Sequence, residues 1–167
     1  GGVALGDVRV MFPLISTLME LRKAKMVLAD VMEDLEEQNI SFNRKIPIGM
    51  MVEVPAAVMM IESFVSEVDF LSVGTNDLIQ YTLAVDRSNK DVAEMYTASD
   101  PAVLKLIATA IEAANRRGVA VNVCGQMSSS TTYTMLLLGL GLRRFSVTPS
   151  SIPEIKTVCS AVTIPEC

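Results

Sequence analysis

Short apolar runs alternate along this chain with longer segments that repeat every 3.6 residues. The runs are "RVMFPL", "IPIGMMVE", "VDFLSVGT", "VAVNVCG" and "RRFSVTP". Each is almost continuously apolar, which predicts parallel strands covered on both faces. Between the first two, Leu14, Leu18, Leu21, Ala24, Leu28, Val31 and Leu35 recur at spacings of three and four, with Arg22, Lys23, Asp30, Glu33, Glu36 and Glu37 opposite. That is an amphipathic helix, and Thr17 with Glu20 forms a capping box at its start. Asp100-Pro101 supplies an N-cap and first-turn proline for a second helix, with Leu104, Ile107, Ile111 and Ala114 as its buried stripe. Arg116 and Arg117 fall in its last turn and Gly118 closes it. Pro55 opens a helix after Glu53, and Ser151, Pro153 and Glu154 start another. A β-α unit repeated about five times, without linker or low-complexity segment, predicts an α/β domain with a parallel sheet. The sheet is either doubly wound or part of a (β/α) barrel.

In both architectures chemistry gathers at the carboxyl ends of the strands. Glu53 ends one run, Asn76 and Asp77 follow "FLSVGT", and Cys124 ends "VAVNVCG". Each has a plain structural reading. Glu53 suits a partly exposed loop, and Asp77 suits the cap of a helical turn beginning at Leu78. Cys124 alone suits a small buried apolar position, Arg87 a solvated loop charge, and the eleven methionines mostly core filler. As a set on one rim they read differently. Two carboxylates on adjacent strand ends form a hard oxygen site suited to Mg²⁺, which keeps waters and recruits an anionic substrate. Asn76, the backbone N–H groups around Thr75 and the cation of Arg87 are the expected anion partners. A thiol opposite can protonate a carbanion or enolate. The substrate class is a small phosphorylated or carboxylated molecule.

Composition narrows the alternatives. At 167 residues the chain can bury one real core. The longest apolar stretch, "MLLLGLGL", falls far short of the ~20 residues of a membrane span. Gly1-Gly2 is either native or left by cloning, and no signal peptide is evident. A net charge of −5 with dispersed cations argues against a grip on duplex nucleic acid. Cys124, Cys159 and Cys167 form no CxxC pair and there is no histidine, so a zinc site is not expected. The odd thiol count suits a reducing cytoplasm.

The segments "MMVEVPAA", "DFLSVGTNDLIQYTLAVDRSN", "DPAVLKLI" and "VCGQMSSS" with "LLLGLGLRRFSV" resemble the phosphoenolpyruvate-utilising enzymes. The "GTNDLIQYTLAVDR" form is similar to the enzyme I branch of the bacterial sugar phosphotransferase system. The resemblance runs from about Arg9 to Lys156. It implies roughly the last five units of an incomplete (β/α)8 TIM-type barrel, so that residues 1–167 form the C-terminal portion of a phosphoenolpyruvate-binding domain. It further implies Glu53 and Asp77 as Mg²⁺ ligands, Asn76, Asp77 and Arg87 as holders of phosphoenolpyruvate, and Cys124 as the proton donor that converts enolpyruvate to pyruvate. The histidine-bearing domain and the domain that docks the phosphocarrier HPr are absent, as are the early strands with further phosphate-binding arginines. Phosphoryl transfer to a protein histidine by this chain alone is therefore not expected. A homodimer in the cytoplasm is expected. Where the family usually reads Cys-Gly-Glu, this chain has Gln126, which resembles the synthase branch. A fragment of a phosphoenolpyruvate synthase or pyruvate phosphate dikinase, and a non-catalytic dimerisation module, are the alternative readings.

Overall fold

The computed structural model describes residues 8–167, so Gly1-Gly2 lies outside the described residues. Four parallel strands form the sheet: β1 (Val10–Phe12), β2 (Ile48–Val52), β3 (Phe70–Gly74) and β4 (Ala120–Cys124). Their order in space is their order in sequence, β1-β2-β3-β4. A doubly wound sheet reverses order at a switch point, and no such reversal occurs among these strands. Seven helices follow in chain order: α1 (Leu18–Glu37), α2 (Pro55–Met59), α3 (Ile61–Phe64), α4 (Thr75–Leu83), α5 (Pro101–Arg117), α6 (Thr131–Gly139) and α7 (Ile152–Ala161).

Side chains alternate across each strand. Met50, Val52, Leu71, Val73, Val121 and Val123 bury themselves against Ala57, Val58, Phe64, Leu78, Ile107 and Ile111 of the helices, forming the core. The opposite face carries Met51, Phe70, Ser72, Asn122 and Cys124. There the Arg9 guanidinium lies 5.8 Å from the Phe70 ring centre, and the buried Asn122 Oδ1 has no hydrogen-bond partner.

Three expectations need correction. The run "RRFSVTP" does not become a fifth strand: it makes one parallel bridge, Val123 to Phe145, with the Ser146 N–H donated to the Val123 carbonyl at 2.9 Å. A segment paired on one side only has little to hold a longer ladder. Helix α1 has its capping box, but only Leu21 of its stripe is buried, Val31 is exposed, and Leu14 lies before the helix. It follows the edge strand β1, and its tertiary contacts include those of Leu21 in the core and of Arg22 and Lys25, which reach Glu67. The methionines are not mostly core: seven of the eleven are exposed, with Met50 and Met127 buried. Most of the exposed ones sit on outer faces of α1, α2 and the loops, where an unbranched thioether is tolerated.

Helix α5 follows its pattern. The Asp100 carboxylate accepts the Ala102 N–H at 2.8 Å, Ile107, Ile111 and Ala114 are fully buried with Leu104 partly so, and Gly118 closes the helix at φ 68°. Pro55 begins α2 as expected.

Candidate active site at the strand carboxyl ends

Glu53 follows β2 directly and is 4% exposed, so the reading as a partly exposed loop carboxylate fails. Its Oε1 accepts the Leu14 backbone N–H at 2.7 Å. Leu14 supplies that N–H from a left-handed backbone, φ 54°, a conformation that costs a side-chain-bearing residue on the order of 1 kcal/mol or more. On the other side, Gly74 leaves room for the carboxylate: a Cβ there would sit 2.7 Å from Glu53 Oε2. Burial pushes the Glu53 carboxyl above its ordinary range and outweighs the Leu14 N–H. The nearby Asp77 carboxylate pushes it further in the same direction. The two acids are therefore neighbours on the rim.

Asp77 is not a cap. Helix α4 begins at Thr75, three residues earlier than the cap reading needs, and its N-cap is Gly74 with no side-chain bond. Asp77 is the third helical residue, and its carboxylate is half-buried and free to face the rim. The Arg87 guanidinium stands 4.0 Å from Asp77 Oδ1. Its backbone N–H is donated to Gln80 Oε1 at 3.3 Å, shortly after α4 is closed by a left-handed C-cap at Ala84, φ 53°. Arg87 is thus exposed, as a solvated loop charge would be, but its guanidinium also reaches towards Asp77.

Asn76 joins two strand ends. Its Oδ1 accepts the Gln126 N–H at 3.1 Å, and the Thr75 hydroxyl donates to the Cys124 carbonyl at 2.9 Å. Gly125, at φ 101°, fits beneath both: a Cβ would meet Thr75 Oγ1 at 2.5 Å and Asn76 Oδ1 at 2.9 Å. The Tyr96 hydroxyl donates to the Asn76 carbonyl at 3.0 Å. Burial pushes the Tyr96 phenol up, the neighbouring Arg87 opposes that, and Asp77 adds to it. Cys124 is half-buried. Its Sγ lies 3.5 Å from the Ser72 hydroxyl and 3.5 Å from the Val73 carbonyl. An open hollow of about 450 Å³ is lined by Asn76, Cys124, Gly125, Gln126, Ser146 and Thr148.

The sequence-predicted residues therefore divide into two linked groups. Glu53, Asp77 and Arg87 form an acidic pair with a facing cation, and Asn76 with Cys124 borders the hollow. Sequence reasoning missed Leu14, Ser72 and Tyr96. Only Ser72 left a signal, a hydroxyl inside an otherwise apolar strand. Among the described residues no group of three or more His, Cys, Asp and Glu gathers, so a cation here would draw on two carboxylates, water and substrate oxygens.

Residues 2–164 match the family model described as "PEP-utilising enzyme, PEP-binding domain". The chain is 48% identical over 147 residues to the phosphoenolpyruvate-protein phosphotransferase of Bacillus sp. (strain S), covering 88% of this chain and 25% of that protein. It is 43% identical over 155 residues to the protein of that name from Bacillus subtilis (strain 168), covering 93% and 27%. The chain thus spans about a quarter of the length of these relatives. Among solved structures, a citrate lyase from Burkholderia xenovorans LB400 superposes with a TM-score of 0.64 at 18% identity, over 90% of this chain and 48% of that one. RipC from Yersinia pestis superposes with a TM-score of 0.60 at 14% identity, over 93% and 64%. These two likenesses concern the fold.

Proposed function

The chain belongs to the PEP-utilising enzyme family, in its PEP-binding domain, and from that premise we propose that it is the Mg²⁺- and enolpyruvate-binding part of a phosphoenolpyruvate–protein phosphotransferase. The four-stranded sheet is an arc of a (β/α)8 barrel whose remaining strands, histidine-bearing domain and HPr-docking domain lie outside this chain. The enzyme is a cytoplasmic homodimer of the sugar phosphotransferase system. The names of the relatives favour this branch over a synthase or dikinase. Gln126 does not oppose it, since the contact it makes to Asn76 uses the backbone N–H.

The observation that carries the reading is the convergence of the Glu53 and Asp77 carboxylates on one rim beside Arg87. Two neighbouring acids, one of them buried and reluctant to ionise, are a donor set that a divalent cation relieves. Glu53 and Asp77 would hold Mg²⁺, which when bound offsets the charge of the substrate's phosphate and carboxylate oxygens. Arg87 and the Asn76 amide hold the anion, and Gly125 lets the end of β4 pack closely against Asn76. Once the phosphoryl group leaves for a histidine on another domain, Cys124 gives its proton to the methylene carbon of enolpyruvate. This chain contains no histidine and serves as the donor side only.

The test is a calorimetric Mn²⁺ titration of the chain with phosphoenolpyruvate present. Binding that Asp77→Ala abolishes is expected. Equal binding by wild type and Asp77→Ala would remove the assignment. In the full-length enzyme, Cys124→Ala should stop pyruvate formation while leaving phosphoenolpyruvate binding intact.

A further inference from the structure

Ser72 is a hydroxyl in the middle of β3, flanked by Leu71 and Val73 of the core and only 3% exposed. A buried hydroxyl without a partner is costly, and an alanine in its place would avoid that cost. The hydrogen bond available to it is donation to the Cys124 sulfur, 3.5 Å away on the adjacent strand. The second neighbour of that sulfur is the Val73 carbonyl, also at 3.5 Å, which can only accept. The two neighbours therefore favour opposite protonation states. The carbonyl takes the S–H of the neutral thiol. The hydroxyl gives a weak bond to neutral sulfur and a charge-assisted one to a thiolate.

We propose that Ser72 is a positioning residue for the proton transfer at Cys124, stabilising the thiolate that the transfer leaves behind. This rests on the reading of Cys124 as proton donor. In that step the S–H bond breaks and a C–H bond forms at the methylene carbon of the enolate. The negative charge moves from the enolate to Sγ, where the Ser72 O–H already points. The bond strengthens as charge develops on sulfur, so it lowers the barrier more than it stabilises the resting enzyme. In reverse, the same hydroxyl stabilises the thiolate that takes a proton from pyruvate. The Thr75 hydroxyl, bonded to the Cys124 carbonyl, fixes the strand end so that the sulfur keeps its place between the two neighbours.

The experiment needs neither substrate nor metal. Iodoacetamide alkylation at Cys124 is followed across pH in the chain as given, with peptide mass spectrometry separating it from Cys159 and Cys167. The charged groups of the same rim, Glu53, Asp77 and Arg87, are identical in all variants. In Ser72→Ala the midpoint should rise by about one pH unit, a roughly tenfold lower thiolate fraction at a given pH below it. Ser72→Thr, which keeps the hydroxyl, should return the midpoint towards wild type. A midpoint in Ser72→Ala equal to that of wild type overturns the proposal. So does a rise that Ser72→Thr fails to reverse while circular dichroism shows both variants folded. Because no phosphoenolpyruvate is present, these outcomes stand apart from the Cys124→Ala test, which judges the proton-donor reading itself.

Discussion

Replacing Gly74 with alanine isolates the fit between β3 and the buried Glu53 carboxylate. The backbone at this position, φ −85° and ψ 91°, suits alanine, so no strain arises from the chain conformation itself. The added Cβ would lie 2.7 Å from Glu53 Oε2, 3.0 Å from Glu53 Cβ and 3.0 Å from the Met51 sulfur. Ordinary contact for a methyl begins near 3.4 Å, so each neighbour must give by several tenths of an ångström. Met51 is flexible and yields. Glu53 has two ways out. Its carboxylate can swing away, giving up the Leu14 N–H bond, which costs about 1.5–3 kcal/mol for a charged acceptor. Alternatively β2 and β3 shift apart at about 1–3 kcal/mol, the usual cost of overpacking. By either route Gly74→Ala costs about 2 kcal/mol.

Urea unfolding followed by far-ultraviolet circular dichroism measures that loss, since the chain has no tryptophan. Glu53→Ala in a double-mutant cycle assigns it. With the Glu53 side chain gone beyond Cβ, the clash with Oε2 disappears, and Gly74→Ala should become about 1 kcal/mol cheaper. Gly118→Ala is the control. Its Cβ meets open space but its φ of 68° strains any side chain, so it should cost on the order of 1 kcal/mol, independently of Glu53. A Gly74→Ala penalty that is the same with and without the Glu53 side chain would refute the argument.

Three further outcomes follow from the same rim. Burial holds the Glu53 carboxyl above the ordinary 4.5 of a glutamate. From 4.5 upward, through the folded value, the native state binds more protons than the unfolded one, so this group's contribution to stability falls as pH rises. Glu53→Gln should remove that fall, read as the difference between the two urea-midpoint profiles; parallel profiles would contradict it. Tyr96→Phe loses the bond to the Asn76 carbonyl, costing about 1 kcal/mol, and should speed tryptic cleavage after Arg87 if Tyr96 ties that loop down. Incubation of the purified chain with labelled phosphoenolpyruvate and Mg²⁺ should leave no stoichiometric acid-labile label, because the chain offers no histidine to accept it.

What the sequence revealed of this rim, and what it concealed, has a physical pattern. Strand positions and helix α5 were legible because burial imposes period and Asp100, Pro101 and Gly118 punctuate the helix; these signals are local. Glu53, Asn76, Asp77, Arg87 and Cys124 were legible as candidates because polar residues directly after apolar runs stand out. Their juxtaposition depends on register, Gly74 opposite Cys124 and Val52 opposite Val73, which no run of residues states. The failures have the same origin. The segment around Phe145 reads as a strand from its composition, but a strand needs a ladder, and the composition says nothing of neighbours. The stripe of α1 reads as buried because amphipathicity measures what a helix can bury. What it does bury depends on the far side of β1. Leu14 acts through its backbone N–H, which every residue but proline carries, so nothing in its side chain could announce it. Ser72 did leave a mark, a hydroxyl among Phe70, Leu71 and Val73, but a lone serine in a strand acquires a role only through a neighbour on the adjacent strand, here the diagonal Cys124. The residues that tune a site act through backbone groups and cross-strand neighbours, and those become visible when the sheet is assembled.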